Sequence, residues 1–151
     1  MILANNERLF KDYFVRLTAA DLIAIGTGGT RQIGSIPIGG GVTHVGAINS
    51  VDIVGSSTLV IDVGTTSADP DEFIDALDVD AMTVGLMTSN TGDLMVTSAA
   101  TTTFVAGIKV AKLVSAVTPI YIKVTDAAVA SITAGEIVIV ISIIDPLGLN
   151  L

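Results

Sequence analysis

The chain has no cysteine and no tryptophan, and it has a single histidine, His44, among its 151 residues. Without thiols it can form neither a disulfide nor a thiolate metal site, and one histidine is too few for a histidine-built zinc or iron centre. A serine nucleophile has no support either, because no serine stands in a G-x-S-x-G frame and His44 is the one histidine base on offer. The composition therefore predicts a protein that is not an enzyme and holds no cofactor.

Positive charge is scarce and unevenly placed. The sequence has 7 Lys and Arg residues against 15 Asp and Glu residues, which gives a formal net charge of -8, and residues 32–108 contain no Lys or Arg at all. Phosphate backbones are bound by Lys and Arg, so this balance argues against a nucleic-acid partner. The cation-free stretch predicts either an acidic face or a region buried against neighbours.

Long hydrophobic runs are also missing, although half of the residues are hydrophobic and the mean hydropathy is +0.76. No stretch reaches the roughly 18 to 20 apolar residues of a membrane helix, and we expect no membrane partner. The longest run, residues 137–144, lies between Glu136 and Asp145 and has the length of a buried strand. High hydrophobicity without a spanning segment indicates extensive burial, in a core or between subunits.

The first thirty residues differ from the rest and are interpreted as an N-terminal arm. Five apolar residues recur at spacings of three and four, which predicts one side of a helix: Leu9, Phe10, Tyr13, Phe14 and Leu17. Three interpretations stay open: a helix docked on its own domain, an arm packed on a partner subunit, or an extended arm.

Residues 31–151 have the composition of a β domain, with short Ile-, Val- and Thr-rich runs separated by glycine-rich turns. The predicted strands lie at 32–38, 43–54, 58–63, 80–87, 93–97, 102–106, 108–115, 119–125 and 136–144. The last strand is apolar on both faces, which is typical of a central strand or a subunit interface. One internal helix is predicted at 69–77, where Pro70 suits the first helical position. The fold class predicted is all-β, a jelly roll or β-sandwich of about eight strands.

Six acidic residues fall within residues 69–80, and clustered carboxylates are the ligands that Ca²⁺ prefers. The pattern of an EF-hand loop is absent, however, because Pro70 interrupts it and the required glycine is missing. We interpret these acids as solvated or helix-capping residues, and a Ca²⁺- or carbohydrate-binding module remains an alternative.

The stretch from residue 31 to residue 145 resembles the small β-sandwich proteins of tailed-bacteriophage heads, the cement or decoration proteins. The resemblance rests on the runs at 31–38 and 59–64, the acidic turn at 69–75, and the strands at 118–125 and 137–141 with the bridge at 133–136 between them. It implies a jelly-roll protomer that forms homotrimers and clamps the major capsid protein in the virion capsid.

The hypothesis from sequence is therefore a non-enzymatic capsid cement protein, with another virion component (a head fibre, tail-tube or capsid subunit) as a further alternative. We expect one small domain not to bury all of its apolar residues alone. The candidate partner contacts are Leu9, Phe10, Tyr13, Phe14, Ile137, Ile139 and Ile141.

Overall fold

Two antiparallel four-stranded sheets make up the computed structural model, which describes residues 10–88 and 113–145, the side chain of Phe10 excepted. Sheet A has the order β1 (Phe10–Thr18), β8 (Ala134–Ile144), β3 (Gly41–Val54) and β6 (Met87–Thr88). Sheet B has the order β2 (Gly29–Ile36), β7 (Thr118–Thr125), β4 (Val60–Gly64) and β5 (Ile74–Asp78). A short helix, α1 (Ala19–Ile25), joins β1 to β2. This interleaved order is that of an eight-stranded jelly roll, and the predicted all-β sandwich is confirmed.

The core lies between the two sheets and is built from alternate residues of the strands. Sheet A contributes four isoleucines of β8, which are at most 1% exposed, together with Leu17 of β1. Sheet B contributes apolar residues of β4 and β7 in the same way, and Leu22 of α1 is fully buried with them. Each fully buried Leu or Ile stabilises the folded state by roughly 1.5–3 kcal/mol relative to an exposed one, so this layer is the main driving force for the sandwich.

The last strand occupies a central position, as its two apolar faces predict. β8 pairs with β1 on one side and with β3 on the other, both in antiparallel register. One of its faces looks into the core, and the other forms part of the outer surface of sheet A. The strands predicted at 32–38, 43–54, 58–63, 119–125 and 136–144 are confirmed as β2, β3, β4, β7 and β8, with ends that differ by a few residues.

The predicted N-terminal helix is wrong over its described part, because Phe10–Thr18 is strand β1. Tyr13, Val15 and Leu17 alternate, and Val15 and Leu17 face the core opposite Ile139 and Ile137. Pairing along the whole of β1 stabilises the extended form more than an isolated helical turn would. Because residues 10–30 contribute a strand to each sheet and the helix between them, most of the proposed arm of residues 1–30 belongs to the sandwich, and residues 1–9 lie outside the described part.

The helix predicted at 69–77 is also wrong. Ile74–Asp78 is strand β5, and the amide of Phe73 donates a hydrogen bond to the carbonyl of Val63 on the neighbouring strand β4. Ala76 has a positive φ of 48°, which no helix contains. Tertiary pairing with β4 therefore overrides the local helical signal of Pro70 and its acidic neighbours.

Turns occupy most of the strand predicted at 80–87, and only Met87 there belongs to a strand. The strands predicted at 93–97 and 102–106, and residues 108–112 of the one at 108–115, lie outside the described residues. Residues 113–115 form no strand.

Candidate contact surface

The outer face of sheet A carries apolar side chains, two of which are exposed. Cross-strand register aligns side chains from all four strands, since residues directly opposite each other share a face of the sheet. Phe14 lies opposite Val140, and Ile48 lies opposite Val138 on one side and Met87 on the other. We call these five residues the apolar face. Phe14 and Met87 are 68% and 53% exposed, which is unusual for side chains of this size.

Gly46 of β3 leaves room for the side chain of Met87 on the outer face of sheet A. A Cβ atom on Gly46 would lie 3.1 Å from Cγ of Met87 and 3.2 Å from Nε2 of His44. Met87 therefore packs directly over the backbone of β3. Nε2 of His44 is buried and has no hydrogen-bond partner in the part of the chain that the structure describes. His44 thus lies on the outer face of sheet A opposite Ser142, whose hydroxyl donates its hydrogen bond to Asp12.

Charged residues line one side of the apolar face, along β1. The hydroxyl of Ser142 donates a hydrogen bond of 2.6 Å to Asp12, and Arg16 forms an ion pair with Glu136. Glu136 also accepts a hydrogen bond of 2.7 Å from the hydroxyl of Ser50. The Ser50 and Arg16 hydrogen bonds together hold the pKa of Glu136 below its usual value. The carboxylate therefore stays charged at the edge of the apolar face.

The candidate contact residues fall into two groups. Tyr13 and Phe14 are exposed on β1. The three isoleucines, Ile137, Ile139 and Ile141, point into the core, where sheet B already covers them, so they offer no surface to a partner in the folded chain. Leu9 and the side chain of Phe10 lie outside the described part.

The residues of the apolar face other than Phe14 were not identified from sequence. Val138 and Val140 had one visible signal, because they form the second apolar side of the last strand. Ile48 and Met87 had none, since their place on this face depends on the register between β3, β6 and β8.

The acids of residues 69–80 bind separate parts of their own chain. Glu72 accepts hydrogen bonds from the amide of Thr65 at 2.7 Å and from the hydroxyl of Thr66 at 2.7 Å. Asp80 accepts one from the amide of Leu59 at 2.8 Å, and Asp69 pairs with Lys123 at 2.9 Å. Among residues 10–88 and 113–145, no three His, Asp or Glu residues are grouped so that they could hold a metal ion.

Burial acts to raise the pKa of Glu72, but the hydrogen bonds from Thr66 and Thr65 outweigh it and keep the pKa below its usual value. Burial raises the pKa of Asp62, whose carboxylate accepts a hydrogen bond of 2.7 Å from the amide of Ala76. Both groups hold loops or bulges of the sandwich.

No helix within the described ranges is long and apolar enough to span a bilayer.

Comparison with known proteins gives a likeness in fold. No protein-family model matches the chain, and no curated protein matches it. The fold is similar to that of a chain in the solved structure entitled "Cyanophage Pam1 capsid asymmetric unit", with a TM-score of 0.58 and 15% sequence identity. The similarity covers 97% of this chain and 94% of that one, so it extends over the whole jelly roll.

Proposed function

We propose that this protein is a non-enzymatic structural component of a bacteriophage virion and that it resides in the capsid. The observation that carries the proposal is the likeness of nearly the whole chain to a chain of a cyanophage capsid asymmetric unit. The more specific proposal is a cement or decoration protein, which binds the major capsid protein as a homotrimer and stabilises the shell.

The apolar face supplies a physical reason for a role in an assembly. Phe14 and Met87 expose large apolar side chains beside Val138 and Ile48, and water contact with such a patch is unfavourable. A polar and charged margin beside an apolar centre is the usual composition of a protein–protein interface. We propose that this face contacts the capsid shell, with Phe14 and Met87 as its main apolar anchors.

Virions of the phage that encodes the chain provide the test. Cryo-electron microscopy of purified particles should place a two-sheet density of this size on the capsid, in groups of three, with sheet A facing the shell. Density in the tail would overturn the capsid assignment, and absence of the chain from the particles would overturn the virion role altogether.

A substitution then tests the contact surface. Met87→Asp introduces a charge into the apolar face. On capsid shells from which this protein has been removed, it should reduce occupancy by about tenfold or more, the effect expected for a lost interface anchor. Val117→Asp is the matched control, because Val117 is 62% exposed and precedes β7, outside the apolar face. Equal loss of binding in both variants would contradict the assignment of this face.

A further inference from the structure

Both edge strands of sheet B, β2 and β5, carry features that hinder pairing with another chain. The pairing of β5 with β4 shifts register between Ile61 and Val63, and the pairing of β2 with β7 shifts between Gln32 and Gly34. Short strands and bulges are common protections of sheet edges, because an exposed row of amides and carbonyls attracts further strands.

Edge strand β1 of sheet A is neither short nor bulged. It runs for nine residues without proline or glycine and pairs with β8 in an unbroken register from Phe10 to Thr18. No other strand within residues 10–88 and 113–145 pairs with its second edge. In an antiparallel sheet the amides and carbonyls of alternate residues point away from the existing neighbour, so β1 presents a regular row of such groups that no described strand pairs with.

We propose that β1 pairs antiparallel with β1 of a second copy of this chain, around a two-fold axis at Phe14. Phe14 is the middle residue of Phe10–Thr18, so this register pairs all nine residues of both strands. It joins two four-stranded sheets into one sheet of eight strands. Both apolar faces then lie on the same side, and the two Phe14 rings meet at the axis.

The charges of β1 complement each other in this register. Antiparallel pairing centred on Phe14 places Asp12 of one copy directly opposite Arg16 of the other, and the symmetry creates this pair twice. A shift of this register by one residue would place Lys11 opposite Arg16, and these two positive charges would repel each other. Shifts by two residues remove the Asp12–Arg16 pairs and leave part of each strand unpaired.

Contacts within the chain already orient both charges on the outer side of sheet A. Asp12 accepts the hydrogen bond of Ser142, and Arg16 binds Glu136, yet the side chain of Arg16 remains 71% exposed. A guanidinium has five N–H donors, so Arg16 can bind a second carboxylate without releasing Glu136. The ion pair between Asp12 of one copy and Arg16 of the other can therefore form at little cost in side-chain entropy.

This two-fold contact goes beyond the proposed function and does not depend on it. A two-fold axis cannot close a ring of three, so β1 pairing yields a dimer of single chains, or links two trimers if the chain is trimeric. A single such contact therefore joins two chains, or six chains when it links two trimers.

Charge reversal tests the proposal. The wild-type chain, followed by sedimentation equilibrium up to millimolar concentration, should form dimers or, if the chain is trimeric, hexamers and larger multiples of the trimer. Asp12→Arg and Arg16→Asp should each weaken this association about tenfold or more, because each places like charges opposite each other twice. The double variant restores opposite charges and should recover association to within a few-fold of wild type.

Recovery in the double variant separates pairing between copies from effects within one chain, because Arg16→Asp faces Glu136 in every variant that carries it. Association no better in the double variant than in the single ones would overturn the proposal. A wild-type monomer or an isolated trimer at all concentrations would also overturn it. The trimer result would leave the proposed homotrimer intact, whereas a lone dimer would support β1 pairing and contradict the homotrimer.

Amide hydrogen exchange provides a readout that does not depend on mass. The β1 amides that point away from β8 should exchange slowly in concentrated wild-type protein and faster in Asp12→Arg. Equal rates in wild type and variant, with circular dichroism confirming that both are folded, would contradict a paired edge.

Discussion

Carboxylates of this chain hold its loops in place. Asp126, Glu72 and Asp80 each accept hydrogen bonds from backbone amides of a loop that joins two strands. A carboxylate can accept several such bonds at once, whereas Lys and Arg can only donate, and hydrogen bonds to a charged group are about twice as strong as neutral ones. This use of acids explains part of the excess of Asp and Glu without any bound cation.

Asp126→Ala should lower the free energy of unfolding by about 3 kcal/mol, because buried hydrogen-bond donors lose a charged acceptor. Asp126 is 2% exposed and accepts hydrogen bonds from the amides of Ser57 and Ala128. Urea unfolding followed by circular dichroism gives the value. Asp52→Ala is the control, because Asp52 is exposed on β3, and its effect should stay within about 0.5 kcal/mol. Equal effects of the two substitutions would contradict the assigned role.

The pH dependence of stability should contain a contribution from Asp21. The hydrogen bond from Arg31, with further ones from Thr18, lowers the pKa of Asp21 from 3.8 to about 2. A carboxyl group with a lowered pKa in the folded state stabilises fully above its unfolded pKa, and the contribution is lost as pH falls through the folded value. Asp21→Asn should therefore be less stable than wild type at pH 7, and the difference should shrink between pH 3.8 and pH 2. A difference that stays constant over this window in urea titrations would contradict the assignment.

At the scale of elements, sequence periodicity predicted the strands whose own pattern of apolar residues agrees with their position in a sheet. β7 alternates between more and less buried residues, β4 places Ile61 and Val63 on either side of Asp62, and β8 is apolar on both faces, so their local signals agree with their places in the sheets. The apolar residues of β1 recur at helical spacings, and pairing with β8 overrides that pattern. The helix that does form, α1, carries a visible signal in Thr18 and Asp21, which together make a capping box.

The residues of the contact surface could be predicted from the sequence less well than the fold. Phe14 was identified because it is aromatic and lies in an apolar segment. The burial of Ile137, Ile139 and Ile141 and the exposure of Met87 depend on which face of each strand meets the other sheet. That choice follows from long-range register, which no local pattern contains.

The end of β3 lies in close contact with the segment that contains Ser131. Gly55 has a φ of 96°, and a Cβ atom there would lie 2.1 Å from the carbonyl oxygen of Ser131. Gly55→Ala should therefore lower the free energy of unfolding by about 2–3 kcal/mol through strain and steric overlap. Gly34→Ala is the matched control, since no atom lies within 4 Å of the added Cβ and the change should stay within about 0.5 kcal/mol. Thermal unfolding of both variants measures the difference, and a wild-type melting temperature for Gly55→Ala would contradict the close approach.

At the scale of the whole molecule, the jelly roll separates a closed core from an open outer face. The isoleucines of β8 supply the core, while the other side of the same strand supplies Val138 and Val140 to the apolar face. One strand therefore links the stability of the fold to the surface proposed for assembly.

Two deletions should separate the arm from the fold. Removal of residues 1–9 leaves β1 complete and should preserve the circular dichroism spectrum and cooperative unfolding. Removal of residues 1–18 takes away Leu17, which is fully buried, and uncovers one edge of β8, so this variant should unfold or aggregate. A folded, monodisperse product of the longer deletion would contradict the place of β1 in the sandwich.

The pairing of β1 with β8 also governs when the molecule can fold. Lys11 and Asp145, which form an ion pair across the end of this pairing, are 134 positions apart in the chain. During translation β1 leaves the ribosome long before its neighbour exists, so sheet A cannot close until β8 has emerged. Contacts between such distant positions slow folding, because a large loop must be ordered first. Nascent chains without β8 expose β1 to one another and can associate wrongly. Slower synthesis or a chaperone should therefore improve the yield of soluble protein.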